Sequence, residues 1–347
     1  MRTTEWTPSA RLKQIAIERA QPLAANLELT YRCNWRCVFC YNPRHHDRRG
    51  LSGAEWLGVL DELRALGTLY VALTGGEPLT HPEFITIARG VRERAFALRI
   101  LTNGALITKE RADEIAGLSP MAVEMSLHGS RAETHDRATG TPGSFDAMLR
   151  GVDHLLERGV GVVLKTPLTR LCEDEIEPMH ALTEARGVPW RVDPLLTPRD
   201  DGDMGPLAYR ASPTAIEAVY RRLSAAGQLP REERVKGGVN CGLGRTTLAV
   251  DPEGNVFPCM QWRKTPLGNV RETPLRTLWP TSEARLEAAA VARTANDRLV
   301  ELGGAVGAFP FCHALAQQNT GDPLRPDDRH QEQAMIAERI RLQHSTD

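Results

Sequence analysis

The residues most suited to chemistry are three cysteines close to the start of the chain, Cys33, Cys37 and Cys40. Thiolates at this C-x3-C-x2-C spacing can bind three irons of a [4Fe–4S] cubane and leave the fourth iron for a non-protein ligand. Zinc also takes Cys and His ligands, so a zinc site completed by His45 or His46 is the alternative on spacing alone. The motif therefore predicts a metal centre of one of these two kinds.

Three segments with glycine and polar residues follow, each at the end of a predicted strand, where loops of parallel sheets build active sites. They are Gly75-Gly76-Glu77-Pro78, Leu101-Thr102-Asn103-Gly104 and Ser126-Leu127-His128-Gly129. The glycines of the first segment permit close approach of the backbone to a ligand, and Glu77 can accept a hydrogen bond from a charged amine. Taken alone, this segment is also typical of an ordinary strand-to-helix turn.

In this order, the cysteine motif and the three segments resemble the radical S-adenosylmethionine (SAM) superfamily, over about residues 23–195. The resemblance implies that Cys33, Cys37 and Cys40 ligate a [4Fe–4S] cluster whose open iron chelates the amino and carboxylate groups of SAM. It also implies that Phe39 lies beside the adenine. When bound, such a cluster reduces the sulfonium, and the 5′-deoxyadenosyl radical so released abstracts a hydrogen atom from substrate.

The resemblance implies further contacts with SAM. Gly75 and Gly76 would lie along the methionyl group, and Glu77 would accept a hydrogen bond from its ammonium. Asn103 and Ser126 are similar to family contacts with the ribose and carboxylate, with ordinary turn and capping roles as the alternative.

Three charged residues outside these segments are additional candidates. Some family members place an arginine before the glycine of an HDxxRG segment, but here the segment 135–140 has Thr139 at that place, and Arg137 is the candidate substitute. Lys165 and Asp193 end the fifth and sixth predicted strands and would face the catalytic cavity, although charged groups at strand ends are usually solvated or paired.

A second set of cysteines, Cys241, Cys259 and Cys312, is spread over the C-terminal third of the chain. The hairpin around Cys259 resembles the SPASM or shorter twitch domain, which binds auxiliary [4Fe–4S] clusters in a subgroup of the family. Only three cysteine ligands are evident, which leaves three alternatives. The fourth iron is open to a non-protein ligand, or it is bound by His313, Cys172 or another residue. In the third alternative, the domain has lost its cluster. We expect one auxiliary cluster. Cys172 is otherwise interpreted as a buried thiol or a hydrogen-atom donor to a substrate radical.

Short apolar runs alternate with amphipathic helices from residue 27 to about 195, which predicts an α/β fold with a parallel sheet. The resemblance implies a partial (β/α)6 TIM-like barrel followed by a small C-terminal domain with a β-hairpin and helices. The predicted strands are 27–33, 70–74, 97–102, 121–127, 161–166 and 189–195. The predicted domains are an N-terminal segment (1–22), the radical SAM barrel (23–198), a linker and helix (199–239), and the SPASM or twitch-type domain with a closing helix (240–347).

Helix starts are indicated by capping patterns. Ser52 with Glu55 predicts a capping box, and Thr80 with Glu83 repeats the pattern before the next helix. The tail is predicted to form a helix over 328–343 with one apolar face, made of Met335, Ile336 and Ile340.

Composition excludes several functional classes. Lys and Arg total 43 against 44 Asp and Glu, so no charge excess favours a nucleic-acid or membrane partner. The chain has no long apolar run and no apolar core of a secretory signal near its start, which predicts a cytoplasmic protein. Seven cysteines, three of them clustered, favour metal ligands and thiols over a disulfide framework.

These observations lead to three functional hypotheses. The first is a radical SAM oxidoreductase that crosslinks or oxidises a ribosomally synthesised peptide, with flavodoxin or ferredoxin as electron donor. The segment before the first strand is too short for a peptide-recognition domain, so a leader peptide would be bound by a separate protein or not at all. The second is a radical SAM enzyme acting on a carbohydrate, aminocyclitol or cofactor precursor, and the third is a non-catalytic zinc-binding or scaffold protein.

Overall fold

Six parallel strands form the centre of the structure, a computed structural model that describes residues 8–42 and 44–344. The strands are β1 Ala24–Glu28, β2 Tyr70–Thr74, β3 Ala97–Thr102, β4 Ala122–Ser126, β5 Val162–Pro167 and β6 Trp190–Asp193. Each pairs in parallel with the next in chain order. The predicted parallel sheet is confirmed, although β1 ends earlier than the predicted 27–33 because the chain leaves the sheet to form the cysteine loop.

The helices that cover this sheet lie mostly between consecutive strands, as right-handed crossovers require. They are α1 Pro8–Arg19, α2 Gly53–Ala65, α3 Phe84–Glu93, α4 Lys109–Gly117, α5 Ala132–Thr139, α6 Ser144–Leu156 and α7 Ile176–Glu184. Trp56, Leu60 and Leu63 of α2 are buried against the sheet. Helix α1 falls in the predicted segment 1–22, of which residues 1–7 lie outside the described residues.

One of the two predicted capping boxes is present. The Ser52 hydroxyl and the Glu55 carboxylate cap the start of α2 reciprocally. The second prediction is wrong, because the Thr80 hydroxyl donates to the carbonyl oxygen of Glu77 at 2.7 Å and does not cap α3. Glu83 instead accepts a 2.7 Å hydrogen bond from the backbone N–H of Gly53, so it supports the start of α2.

The predicted C-terminal hairpin is confirmed and extends the same sheet. It consists of β7 Thr247–Val250 and β8 Asn255–Phe257, followed by the short β9 Gly268–Asn269. Strand β7 pairs in parallel with β1, which gives the sheet order β6-β5-β4-β3-β2-β1-β7-β8-β9. The carboxyl end of β7 therefore lies at the same edge of the sheet as the cysteine loop.

The rest of the C-terminal region is helical. It contains α8 Pro213–Ala225, α9 Leu275–Thr281, α10 Glu283–Leu302, α11 Gly304–Ala308, α12 His313–Thr320 and α13 Asp328–His344. Helix α13 packs against α8, and Ile336 and Ile340 are buried as predicted. Met335 is 59% exposed, so its predicted place on the buried face is wrong. Within residues 8–42 and 44–344, no helix is both long and apolar enough to cross a membrane.

Candidate active site and auxiliary metal centre

The loop that carries Cys33, Cys37 and Cys40 begins directly after β1 and is held on two sides by backbone hydrogen bonds. On one side, the N–H groups of Arg36 and Val38 donate to carbonyl oxygens at the end of α5, at 2.8 and 3.0 Å. On the other side, two N–H groups of the Gly-Gly-Glu segment donate to carbonyl oxygens of residues 30 and 32, at 2.7 and 2.8 Å. The cysteines are therefore placed by a braced loop at the carboxyl edge of the sheet.

Two glycines make this bracing possible. Gly75 has φ of +138°, and a Cβ there would lie 2.4 Å from the carbonyl oxygen of Thr30. A Cβ on Gly76 would lie 2.4 Å from the carbonyl oxygen of Arg32. The predicted contact of both glycines with SAM stays a prediction, but the structure supplies a separate need for them, the close approach of two protein backbones.

Glu77 is fully buried, and its carboxylate is already occupied by protein donors. Oε1 accepts from the Thr102 hydroxyl at 2.6 Å and from a backbone N–H at 3.0 Å, and Oε2 accepts from the Asn103 N–H at 2.7 Å. Burial raises the pKa of Glu77 to about 7. The predicted hydrogen bond from the SAM ammonium to this carboxylate stays a prediction, and the three protein donors show a separate role of the group, which is to join the ends of β2 and β3.

Asn103 contacts the cysteine loop. Its amide nitrogen donates to Asn34 Oδ1 at 2.7 Å and lies 3.9 Å from Cys33 Sγ, while its oxygen accepts from a backbone N–H at 3.0 Å. These contacts are those of a turn residue, which was the alternative role for Asn103 in the sequence analysis.

Ser126 is half-buried at the end of β4, opposite Lys165 in the register. Arg137 is exposed on α5, and its guanidinium donates to the carbonyl oxygen of Leu171 at 3.4 Å.

Phe39 is buried beside an aromatic group that the sequence reasoning missed. Its ring lies 5.1 Å from that of His128, which is next to His135. Trp35 packs edge-on against both histidines. Burial holds the pKa of each histidine below its usual value, so these rings form a neutral wall behind the cysteine loop. The signal was present in the sequence, since His128 and His135 belong to segments already singled out.

Lys165 does not face the cavity as a free amine. Its Nζ lies 3.0 Å from Glu124 Oε2, and Arg99 Nε donates to Glu124 Oε1 at 2.8 Å. Burial opposes ionisation of Glu124, but the two cations outweigh it and lower the pKa of this carboxyl. Asp193 at the end of β6 is exposed, and its Oδ1 accepts a 2.9 Å hydrogen bond from the N–H of Leu195.

Cys172 is 1% exposed and belongs to the main hydrophobic core. Its sulfur contacts the hydroxyl and carbonyl oxygens of Thr169, at 3.5 and 3.6 Å. Burial raises the pKa of the thiol. The structure therefore supports the buried-thiol alternative, and the roles as hydrogen-atom donor and fourth cluster ligand do not fit such an enclosed group.

The sequence reasoning also missed a buried ion pair between the two halves of the chain. Arg263 Nη2 donates to Glu28 Oε2 at 2.6 Å, and its Nε lies 3.5 Å from Asp200 Oδ2. The Tyr41 hydroxyl donates to Glu28 Oε1 at 3.2 Å. Glu28 lies at the end of β1 between Leu27 and Leu29, so a glutamate flanked by two leucines was the available signal.

The second cysteine set is brought together by the fold. Cys259 and Cys312 pack against the same small hydrophobic cluster, which contains Leu243, and Cys241 lies two residues before Leu243. Backbone N–H groups donate to Cys241 Sγ at 3.4 Å and to Cys259 Sγ at 3.5 Å. His313, which follows Cys312 at the start of α12, brings Nε2 to 3.1 Å from Cys241 Sγ.

Both cysteine sets suit iron–sulfur ligation. Each contains three thiols, and N–H groups point at their sulfurs, as in the first set, where Trp35 donates to Cys33 Sγ at 3.4 Å. Cys33 is half-buried, and this partial burial raises the pKa of its thiol to about 11, so the thiol stays protonated until a metal replaces the proton. Among the described residues, no three His, Cys, Asp or Glu converge closely enough to hold a single metal ion.

A cavity of about 240 Å³ lies between the end of β6 and the C-terminal helices. Its walls are mainly apolar and include Phe309, Phe311 and Tyr220, while Asp193 and Cys312 open onto it. The cavity therefore connects the carboxyl edge of the sheet with the second cysteine set.

Comparisons with known proteins agree with this arrangement. Residues 27–182 match the model of the radical SAM superfamily, and residues 241–301 match that of the SPASM iron–sulfur cluster-binding domain. The mycofactocin maturase MftC of Mycobacterium tuberculosis (strain CDC 1551 / Oshkosh) is 30% identical over 255 residues, which cover 69% of this chain and 64% of the maturase. The chain therefore spans less than two thirds of that relative.

Two further proteins extend the comparison. The AdoMet-dependent heme synthase of Methanosarcina barkeri is 28% identical over 352 residues, covering 90% of this chain and 97% of the synthase. The crystal structure of Streptococcus suis SuiB bound to precursor peptide SuiA superposes with a TM-score of 0.64 at 16% identity, covering 80% of this chain and 70% of SuiB. That likeness shows the shared partial-barrel fold. The chain therefore carries a radical SAM domain over residues 27–182 and a SPASM iron–sulfur cluster-binding domain over residues 241–301.

Proposed function

We propose that this protein is a radical SAM enzyme that cleaves SAM reductively and abstracts a hydrogen atom from a ribosomally synthesised peptide, in its crosslinking or oxidation. The observation that carries the proposal is the joint placement of two cysteine sets. One follows β1 at the carboxyl edge of the sheet, and the other opens through Cys312 onto the cavity that begins at β6. A substrate in this cavity would lie against Cys312 of the proposed electron acceptor and against Leu196, which packs with Phe39 of the first site.

In the proposed first site, Cys33, Cys37 and Cys40 hold the SAM-binding [4Fe–4S] cluster. The aromatic wall of Trp35, Phe39 and the two buried histidines excludes water behind the loop. Phe39 keeps its proposed place beside the adenine. Glu77 acts as a positioning residue, because its carboxylate fixes the backbone that braces the cysteines.

Other contacts with SAM follow the family pattern. Gly75 and Gly76 are proposed to lie along the methionyl group, and Ser126 at the end of β4 to contact its carboxylate. Asn103 and Arg137 are retained as polar groups near the site, although each already has a protein partner.

In the proposed second site, Cys241, Cys259 and Cys312 ligate one auxiliary cluster. Asp193 opens onto the same cavity, and its Oδ2 is the proposed acceptor for the proton that substrate oxidation releases. Lys165 belongs to the same edge of the sheet and favours the ionised form of Asp193 electrostatically.

The peptide substrate is supported by the maturase relative and by the peptide held on the same fold in SuiB. A second candidate, a small-molecule substrate such as a cofactor precursor, is favoured by the heme synthase, which matches this chain over nearly its whole length. The proposal also includes a flavodoxin or ferredoxin as electron donor and a separate peptide-recognition protein. A reducing compartment, the cytoplasm, suits cysteines that serve as cluster ligands.

The test is an anaerobic turnover assay with reconstituted protein, dithionite and SAM, with and without a candidate precursor peptide. We expect 5′-deoxyadenosine in both reactions and a mass change of the peptide in the first. An unchanged peptide, with a small molecule consumed instead, would favour the second candidate. Colourless protein with stoichiometric zinc and no 5′-deoxyadenosine would exclude both and favour the non-catalytic alternative.

A further inference from the structure

Hydrogen bonds link a half-buried arginine to one sulfur of the second cysteine set, through a chain that we call the relay: Arg234, Asn240, His313 and Cys241. Arg234 Nη2 donates to Asn240 Oδ1 at 2.9 Å. The amide nitrogen of Asn240 lies 3.3 Å from His313 Nδ1, and His313 Nε2 lies 3.1 Å from Cys241 Sγ. His313 itself is buried, so protein groups decide which of its ring nitrogens carries the proton.

The orientation of the Asn240 amide follows from two partners whose chemistry is unambiguous. A guanidinium can only donate, so the atom that faces Arg234 is the amide oxygen. A backbone carbonyl can only accept, and the carbonyl oxygen of Phe311 lies 2.6 Å from the other amide atom, which is therefore nitrogen. Asn240 thus presents an N–H to His313.

This orientation determines the tautomer of His313. Because the Asn240 amide nitrogen can only donate, Nδ1 of His313 must accept and carries no proton. A neutral imidazole then carries its proton on Nε2, the atom that faces Cys241 Sγ. An Nε2 that holds a proton has no lone pair available for iron.

The distance agrees with the same assignment. Terminal ligands of a cubane bind different irons and point outward from the cluster, so their donor atoms stand farther apart than a hydrogen bond. The 3.1 Å between His313 Nε2 and Cys241 Sγ is instead the separation of an N–H donor and a sulfur acceptor.

We propose that His313 donates an Nε2–H hydrogen bond to the Cys241 sulfur of the auxiliary cluster and raises its reduction potential, and that His313 is not the fourth ligand. This inference rests on the auxiliary cluster of the proposed function. Hydrogen bonds to ligand sulfurs withdraw electron density and stabilise the reduced cluster, so this bond makes the cluster a better electron acceptor. His313 is accordingly a positioning and tuning residue.

The test uses the Cys40→Ala protein, in which only the second cluster remains, so that every signal comes from one centre. His313→Ala should keep about four irons in that centre but lower its midpoint potential in a redox titration followed by EPR. His313→Gln, whose amide can restore an N–H donor, should return the potential towards that of the parent. The parent should show only weak nitrogen hyperfine coupling in pulsed EPR.

His330→Ala is the matched control, because His330 packs against the same Phe311 ring as His313 but contacts no cysteine sulfur in the described structure. Its cluster should keep the parent potential. Loss of iron in both His313 variants, together with strong nitrogen coupling in the parent, would identify His313 as a ligand and overturn the inference.

An unchanged potential in His313→Ala would also overturn the inference. A Cys40→Ala protein that binds no iron would overturn it too, because no auxiliary cluster would exist to be tuned. The proposed function would survive that result if the wild-type protein still cleaves SAM and modifies the peptide.

Discussion

The backbone N–H of Glu77 donates a 2.8 Å hydrogen bond to the carbonyl oxygen of Arg32, next to the first cysteine of the triad. Together with the 2.7 Å bond from Gly76 to Thr30, this contact joins the segment after β2 to the loop after β1. The Gly-Gly-Glu segment therefore supports the cysteine loop, in addition to any contacts that it makes with SAM.

Replacing Gly76 with alanine tests this support. The new Cβ would lie 2.4 Å from the carbonyl oxygen of Arg32 and 2.6 Å from that of Tyr31, so one backbone must move. We expect Gly76→Ala to lose most of the iron of the first cluster and its 5′-deoxyadenosine production. Iron analysis and the uncoupled cleavage assay measure both.

Gly58→Ala is the control for that variant. Gly58 lies within α2, and a Cβ there meets nothing within 4 Å. Alanine should stabilise the helix by up to about 1 kcal/mol and leave iron content unchanged. Equal iron in Gly76→Ala and the wild type would refute the supporting role of the segment.

The two cysteine sets should be separable by mutation. Cys40→Ala should abolish 5′-deoxyadenosine, because the SAM-binding cluster loses a ligand. Cys259→Ala should leave uncoupled SAM cleavage intact yet lose the substrate product, with iron falling from about eight to about four per chain. If Cys259→Ala still forms product at the wild-type rate, the second set does not serve the substrate.

The pair of Glu28 and Arg263 should be important for stability, because their side chains are only 1% and 7% exposed. In Glu28→Gln, Asp200 is the remaining carboxylate partner of the Arg263 guanidinium. Burial raises the pKa of Asp200 to about 7, so Asp200 is only partly ionised at neutral pH. We expect a loss of about 3 kcal/mol in the free energy of unfolding.

The control for that loss is Asp61→Asn, since Asp61 pairs with Arg94 but is 65% exposed. Removing this exposed pair should cost less than about 1 kcal/mol. Chemical denaturation of both variants measures the difference, and similar losses would contradict the argument from burial.

The Glu77 carboxyl should make stability depend on pH. Burial raises its pKa from 4.5 to about 7, so the native state holds a proton that the unfolded state releases. Its contribution to stability is then complete below about pH 4.5 and is lost as the pH rises through 7, by about 3 kcal/mol in all. Glu77→Gln cannot titrate, so the difference in free energy of unfolding between the two proteins should shrink over this range. A difference independent of pH would contradict the prediction.

Cys172→Ala should leave both clusters and SAM cleavage unchanged. Its buried sulfur contacts only Thr169 among the polar groups described, so the expected effect is a loss of about 1–2 kcal/mol of stability from the small cavity. Thermal unfolding and a turnover assay separate the two effects. Loss of product with unchanged stability would restore the hydrogen-atom donor hypothesis.

The sequence by itself determined the chemistry of the first site and the framework that carries it. Cys33, Cys37 and Cys40 lie within one loop, so their spacing along the covalent chain already limits which metal centre they can form. The strands could also be predicted from the sequence, because the alternation of apolar runs and helices is a local pattern. Strands β2 and β3 begin and end at the predicted residues.

Only the tertiary structure decided what surrounds these residues. Burial assigned Glu77 to the protein's own donors and Cys172 to the core. Packing between distant segments paired Glu28 with Arg263, 235 residues later in the chain, and set His313 against Cys241. Such contacts depend on which side chains meet after folding, and spacing along the chain carries no record of that.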